Sequence, residues 1–244
     1  MLVTASKLYD YFKCPHRVWR DIYGPQSEKN PEPNPFVQLL WDKGVLREKE
    51  VVKGLGTLLD LSSPNKEEQF KKTIEAMKSG APLIYHGYIR WENLAGEPDL
   101  LRKNEDGTYL PIDIKSGRGL EDEDVEEGEP GKPKKHYAAQ LALYSEILIG
   151  LGFTNKRVGV IFDIDSKEVV YDLDSPMGVR NKQTWWQMYQ DVKNETTLLV
   201  ENKHRNDPAL IGVCKLCPWY GSCKKWCIDK EDLSTEFYLG RSKR

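Results

Sequence analysis

The spacing of apolar residues changes along this chain of 244 residues, and this change constrains the fold more than any other feature. Up to residue 78 the spacing is typical of helices, and between residues 83 and 115 it is typical of strands. Helices return on either side of a hairpin predicted at 158–172. The pattern predicts an α/β fold in which helices flank a mixed sheet. Helices are predicted at 2–23 with a break at Pro15, at 36–52, 66–78, 137–149 and 179–201, and strands at 83–91, 96–102 and 108–115.

Length and charge limit the class of protein. A chain of 28.1 kDa buries one substantial core, so we expect a single domain over residues 1–244 with its core at about 36–200. The net charge of -2 argues against a protein that coats nucleic acid through general basicity. The sequence shows neither a membrane-spanning apolar stretch nor an apolar signal region, which predicts a cytoplasmic protein without membrane contact.

Charged residues interrupt two of the predicted strands. They lie in Gly96-Glu97-Pro98-Asp99 and in Ile112-Asp113-Ile114-Lys115. Residues two apart in a strand share a face, so Asp113 and Lys115 project together. A hairpin turn at 104–107 would bring Asp99 beside them. A lone Asp-x-Lys is more often a surface ion pair, so the second carboxylate, that of Asp99, matters for the interpretation.

Such a group of side chains suits a hard cation. Asp99, Asp113 and the backbone carbonyl of Ile114 are oxygen ligands of the kind that Mg²⁺ or Mn²⁺ binds. In phosphodiester hydrolysis the cation would polarise the phosphoryl group and activate water. Lys115 would orient or deprotonate that water and add positive charge where negative charge develops.

The five cysteines are unevenly distributed. Cys14 stands alone, whereas Cys214, Cys217, Cys223 and Cys227 fall within fourteen residues. Three of the clustered cysteines could share one metal site, and the fourth ligand would be either Cys14 or Cys227. Four local cysteines would favour structural zinc, although [4Fe-4S] clusters also take four thiolates.

The order of these motifs resembles one nuclease family. The chain is similar to the Cas-four nucleases of CRISPR systems and to RecB-like (AddB-like) nucleases of the PD-(D/E)xK superfamily, which have a restriction-endonuclease-like core. The motif G-x-x-D matches 96–99, (D/E)-x-K matches 113–115, and Q-x-x-x-Y matches Gln140 to Tyr144. The resemblance implies that Gln140 and Tyr144 contact DNA or support the active site.

The resemblance also implies metal ligands outside these motifs. The family places a helical histidine four residues after a glycine, and here Glu48 stands at that position after Gly44, which implies Glu48 as a ligand. It implies that Cys14, with the three trailing cysteines, holds an iron-sulfur cluster that joins residues 1–23 to 205–230, so that Cys227 is an extra thiol. The four histidines match no motif and are interpreted as structural or surface residues: His16, His86, His136 and His204.

The function that the resemblance implies is a metal-dependent DNA nuclease. Members of the family act on single-stranded ends, often as exonucleases, in CRISPR spacer acquisition or in DNA repair. Partners would be the CRISPR integrase proteins or a helicase, since the sequence contains no P-loop of its own. Two alternatives stay open: a non-catalytic nucleic-acid-binding module with a zinc-stabilised cysteine cluster, and a redox protein that uses an iron-sulfur cluster.

Overall fold

The computed structural model describes residues 1–32, 34–121, 131–204 and 206–236. Seven α-helices and eleven strands lie in these ranges. The helices are α1 (Ala5–Lys13), α2 (Pro15–Tyr23), α3 (Pro35–Gly54), α4 (Lys66–Ser79), α5 (Lys135–Gly150), α6 (Trp185–Val200) and α7 (Tyr220–Asp229). The strands are β1 (Val3–Thr4), β2 (Leu59–Asp60), β3 (Leu83–Tyr85), β4 (Ile89–Trp91), β5 (Leu94–Gly96), β6 (Leu100–Lys103), β7 (Tyr109–Ile114), β8 (Leu120–Glu121), β9 (Lys132–Pro133), β10 (Val158–Phe162) and β11 (Glu168–Asp172).

A six-stranded mixed sheet organises the molecule. Its strand order is β11-β10-β7-β6-β3-β2, with β10 parallel to β7 and β6 antiparallel to both of its neighbours. A smaller sheet has the order β1-β5-β4, and β8 pairs with β9. The predicted α/β class, with helices around a mixed sheet, is confirmed.

Side chains alternate between the two faces of the large sheet, as the pleat requires. Leu101, Tyr109 and Ile161 belong to the main core, which is centred on α5. Ile112 and Ile114 belong to a second cluster on the other face, which includes residues of α3. Helices therefore cover both faces, and α5 is the central one, since it contacts α1, α6 and the strands β4, β5, β7 and β10.

Helix α3 packs on the sheet only through its C-terminal part. Val51 is buried against the sheet, and the guanidinium of Arg47 donates to the carbonyl of Asp163 at 2.8 Å. This anchorage brings Glu48, one turn before Val51, to the edge of the sheet. The earlier turns expose large apolar side chains at Phe36, Leu39, Leu40, Trp41, Val45 and Leu46.

Most predicted elements are present, but the limits of the strands predicted at 83–91 and 96–102 and of the helix predicted at 179–201 are wrong. Residue 96 ends β5 of the smaller sheet, and β6 of the large sheet begins only at Leu100. The break in the first helix falls at Cys14, where Pro15 begins α2. The strand predicted at 83–91 is wrong, because the chain turns at His86 and β3 and β4 lie in different sheets. The helix predicted at 179–201 starts only at Trp185, because Thr184 caps it in a capping box with Gln187.

The N-terminal segment contributes to the main core, which extends beyond the predicted 36–200. Val3, Ala5 and Leu8 are buried in it, and β1 pairs with β5. Of the loop predicted at 116–135, residues 122–130 lie outside the described residues, and the described part contains the short strands β8 and β9. Within the described ranges, no helix is both long and apolar enough to cross a membrane.

Candidate functional site

The β6–β7 hairpin places two aspartates side by side at one edge of the large sheet. Leu100 pairs with Ile112, and the same register continued by one residue sets Asp99 opposite Asp113. Asp99 Oδ2 accepts a hydrogen bond from the backbone N–H of Ile114 at 2.6 Å. Asp113 is 2% exposed, so this edge holds a buried carboxylate beside a half-buried one.

Lys115 completes this group. Its Nζ lies 2.9 Å from Asp113 Oδ2, an ion-pair distance. The contact between the ammonium of Lys115 and Asp113 Oδ2 is an ion pair and does not meet the geometry of a hydrogen bond. Among the described residues, this buried oxygen accepts no hydrogen bond. Burial disfavours the ammonium, but attraction to Asp113 and Asp99 outweighs it and raises the pKa of Lys115. Lys115 is therefore a fixed positive charge at neutral pH.

The two aspartates repel each other. Burial, and next the charge of Asp113, raise the pKa of Asp99 to about 8, although Lys115 and the Ile114 N–H oppose the shift. The protonated form of Asp99 is thus favoured more than in an isolated aspartate, and a further positive charge would oppose this effect. A divalent cation is such a charge, and its binding would favour the loss of this proton.

Glu48 approaches the aspartates from α3. Its Oε1 accepts a hydrogen bond from Tyr85 Oη at 2.7 Å and lies 3.0 Å from His86 Nε2. The bond from His86 is the main cause that lowers the pKa of Glu48, and Lys115 contributes a weaker attraction. The structure thus brings Glu48 into the electrostatic neighbourhood of Asp99, Asp113 and Lys115, as its place after Gly44 predicts.

His86 is a residue of this site that the sequence did not indicate. Its imidazole lies between two carboxylates, with Nδ1 3.3 Å from Glu97 Oε1 and Nε2 against Glu48. Hydrogen bonds to these two carboxylates raise the pKa of His86 to about 10, against an opposing effect of burial. The interpretation of His86 as a structural or surface residue is incomplete, and a histidine followed by glycine inside a predicted strand was the available signal.

Tyr144 and Gly96 fit together behind the carboxylates. Tyr144 is 3% exposed on α5, and a Cβ at position 96 would collide with its ring. Burial, and then Asp113 and Asp99, raise the pKa of Tyr144 well above its usual value. Tyr144 therefore packs against the end of β5, three residues before Asp99. Gln140, one turn earlier on α5, is partly exposed.

A second candidate site is a cavity of about 1280 Å³ between the α1–α2 junction and the C-terminal segment. Cys14, Cys214, Cys217 and Cys223 line it, and Cys227 does not. Cys14 and Cys214 affect the pKa of Cys217, and Cys14 and Cys217 affect that of Cys223, so these thiols are neighbours.

Cys227 lies apart from this group. It is fully buried, and its Sγ contacts the carbonyl of Pro208 at 3.7 Å and Ser234 Oγ at 3.9 Å. Of the two candidates for the fourth position of the cysteine site, Cys14 shares the cavity with the other three. The geometry favours Cys14, and Cys227 is a packing residue of α7.

Side-chain contacts between α2 and the C-terminal segment hold this cavity together. Trp219 is 1% exposed, and its Nε1 donates to Asp21 Oδ1 at 2.9 Å. The guanidinium of Arg20 lies over the Trp219 ring at 4.8 Å and donates to Ser222 Oγ at 2.6 Å. Burial is the main cause that raises the pKa of Cys223, to about 11, and it also raises that of Cys217.

Neither group of side chains has the spacing of a closed metal site. In the described part of the chain, no three His, Cys, Asp or Glu residues form a set that could hold a metal ion as they stand. The carboxylates and the thiols nevertheless each form a group of electrostatic neighbours. Asp113 Oδ2 is an oxygen ligand of the kind that a hard divalent cation binds. The four thiols are ligands of the kind that hold zinc or iron once they are deprotonated.

Comparison with known proteins gives a distant structural likeness. No protein-family model matches the chain, and no curated protein matches it. Among solved structures, the chain is similar to the crystal structure of SSO0001, with 15% sequence identity, 92% of this chain and 86% of that chain covered, and a TM-score of 0.40. A likeness at this level assigns neither a family nor a function to the chain.

Proposed function

We propose that this protein is a metal-dependent deoxyribonuclease of the PD-(D/E)xK type, related to the Cas-four and RecB-like nucleases. The observation that carries the proposal is the convergence of Asp99, Asp113 and Lys115 at one sheet edge, with Glu48 beside them. A structural ion pair needs one acid and one base. Lys115 pairs with Asp113, and the further carboxylates of Asp99 and Glu48 provide oxygen atoms that a divalent cation could bind.

The residues fit a hard divalent cation. Asp99, Asp113 and Glu48 would hold Mg²⁺ or Mn²⁺ together with the backbone carbonyl of Ile114, and the buried Asp113 Oδ2 has an unused acceptor position. The bound cation would supply Lewis-acid activation of the phosphodiester and of water. One site would then combine carboxylates from three places: Glu48 of α3, Asp113 of β7, and Asp99 immediately before β6.

Lys115 contributes charge. Its raised pKa keeps the ammonium protonated at neutral pH, so we assign it to electrostatic stabilisation of the phosphorane-like transition state rather than to proton abstraction. Asp113 holds the ammonium at 2.9 Å on the same strand face. Tyr144 packs against Gly96 at the end of β5, and Gln140 is the residue of its motif with solvent access.

The cysteine site fits a four-thiolate cofactor. Cys14, Cys214, Cys217 and Cys223 would hold a [4Fe-4S] cluster, which would join the N- and C-terminal segments. A cluster there would close a loop of about two hundred residues, which reduces the entropy of the unfolded chain. We assign it a structural role, because the carboxylate group would have no purpose in an electron-transfer protein.

The substrate and partners follow from the same proposal. We infer cleavage of DNA at single-stranded ends, in the cytoplasm, either beside CRISPR integrase proteins during spacer acquisition or beside a helicase in repair. An odd number of cysteines argues against a disulfide framework and fits a reducing compartment.

The test is cleavage of end-labelled single-stranded and duplex DNA by anaerobically purified protein, in Mn²⁺, in Mg²⁺ and in EDTA, after its visible spectrum is recorded. We expect a brown protein that degrades single-stranded ends only with the divalent cation. A colourless protein that binds DNA and leaves it intact would refute the nuclease and support the zinc-stabilised binding module.

A further inference from the structure

His86 lies where the chain turns between β3 and β4, beside the carboxylate site. We propose that His86 is a positioning residue: it holds one oxygen of Glu48 so that the other oxygen is presented to a divalent cation. This inference rests on the proposed function, because it concerns the cation of that site. It adds a residue that belongs to none of the motifs in the sequence.

Two donors hold the same oxygen of Glu48. His86 Nε2 lies 3.0 Å from Glu48 Oε1, and Tyr85 Oη donates to that oxygen at 2.7 Å. Both contacts fall on Oε1, which leaves Oε2 as the oxygen for a cation. A carboxylate that is hydrogen-bonded through one oxygen has a fixed plane, and partners of this kind orient metal ligands in proteins.

The imidazole is itself fixed from its other side. Its Nδ1 lies 3.3 Å from Glu97 Oε1, which also accepts from Gln69 Nε2 at 3.0 Å. Glu97 Oε2 is paired with Lys66. The charges alternate along the row Lys66, Glu97, His86 and Glu48, so each member stabilises the position of the next.

The backbone of His86 shows that this placement is imposed. Its φ is +52°, a conformation that is uncommon for residues other than glycine and that persists where surrounding contacts enforce it. The enforcing contacts are its N–H, which donates to the carbonyl of Asp99 at 3.1 Å, and its carbonyl, which accepts from Gln69 Nε2 at 2.6 Å. His86 therefore ties the backbone at Asp99 to the side chain of Glu48, two of the three proposed acidic ligands.

The test measures Mn²⁺ binding by isothermal titration calorimetry with the full chain and without DNA. We expect His86→Asn and His86→Gly to weaken Mn²⁺ binding about ten-fold or more. Both replacements accept a positive φ, so they remove the imidazole and keep the turn. His204→Asn is the matched control, because His204 is also paired with a glutamate, Glu195, at 3.2 Å, but lies more exposed. Its affinity should equal that of the wild type.

A double-mutant cycle with Glu48→Gln separates positioning from a general effect. If His86 acts through Glu48, His86→Asn should weaken binding much less in the Glu48→Gln background than in the wild type. Unchanged Mn²⁺ affinity in His86→Asn would overturn the inference, and so would an equal loss in both backgrounds. In either case a loss of binding in Asp113→Asn would leave the proposed function intact. A wild-type chain that binds no Mn²⁺ would overturn both.

Discussion

The carboxylate site and the cysteine site are both built from segments far apart in sequence, yet they are held in different ways. Backbone pairing within one sheet sets Asp99 opposite Asp113, and a backbone N–H fixes the carboxylate of Asp99. The cysteine site lies between α2 and the C-terminal segment, and side-chain contacts such as Trp219 with Asp21 hold it. The first is positioned by the sheet, and the second by a few individual contacts.

This difference implies different roles for the bound groups. The sheet sets the positions of the acids whether or not a cation is bound, so the proposed cation would matter for chemistry and little for folding. The thiols of Cys217 and Cys223 have raised pKa values and favour the protonated form in the absence of a metal. Their site should therefore depend on its metal for stability.

The largest expected effect concerns Asp113. Asp113→Asn keeps the shape of the side chain and removes its charge, so cleavage of single-stranded DNA should fall by about a thousand-fold or more. Its visible spectrum and iron content should match the wild type, because the cysteine site lies elsewhere. Asp229→Asn, on the exposed surface of α7, is the control and should cleave normally. Full activity in Asp113→Asn would contradict the proposed site.

Loss of a thiol should act on stability instead. Cys214→Ser should lose its iron, and its melting temperature should fall by about 10 °C, because ligand binding contributes directly to folding. Iron analysis and calorimetry would measure this. Cys227→Ser, which changes a thiol outside the cavity, should keep its iron. If Cys227→Ser loses iron while Cys14→Ser keeps it, the assignment of the fourth ligand is wrong.

A smaller effect tests the side-chain contacts at the cysteine site. Trp219→Phe retains most of the buried ring but removes the hydrogen bond to Asp21, which should cost about 1 kcal/mol, or about 3 °C in melting temperature. The iron should also be lost faster to a chelator. Trp91→Phe changes a partly exposed indole and should do neither. Equal melting temperatures for both variants would mean that this contact does not hold the site.

The smallest effect is a pH dependence near the carboxylate side. Burial, with repulsion from Lys13, Lys134 and Lys115, lowers the pKa of His136 from 6.5 to about 4. As the pH falls, His136 binds a proton in the unfolded chain before it does so in the folded protein. The stability of the fold is therefore unaffected by the protonation of His136 above pH 6.5 and decreases as the pH falls from 6.5 toward 4. Between pH 7.5 and 5, His136→Gln should lose about 2 °C less in melting temperature than the wild type. The exposed His204→Gln should follow the wild type.

The sequence predicted what depends on local pattern. Periodicity predicted the α/β class, and the order of motifs brought together Asp99, Asp113 and Lys115 on one hairpin. These features depend on strand alternation and on short spacings, which a sequence displays directly. The choice of Cys14 over the more local Cys227 rests instead on the family resemblance, because spacing alone favours the four local cysteines.

His86 could not be predicted in this way. Its role depends on contacts with residues 48, 69 and 97, which are brought together only by the packing of α3 and α4 against the sheet. Its positive φ divides what reads as one apolar strand into two strands of different sheets. The start of α6 was missed for a simpler reason, since the capping box of Thr184 and Gln187 begins the helix at Trp185, after a largely polar segment.

The close packing of Gly96 against Tyr144 limits how this chain can vary. A methyl group at position 96 has no room while the phenol ring is present, so alanine there is compatible only with a smaller residue at position 144. Either substitution alone carries a cost, a collision in one case and a cavity in the other. Positions 96 and 144 therefore form a coupled pair, and any related chain should change them together or keep both.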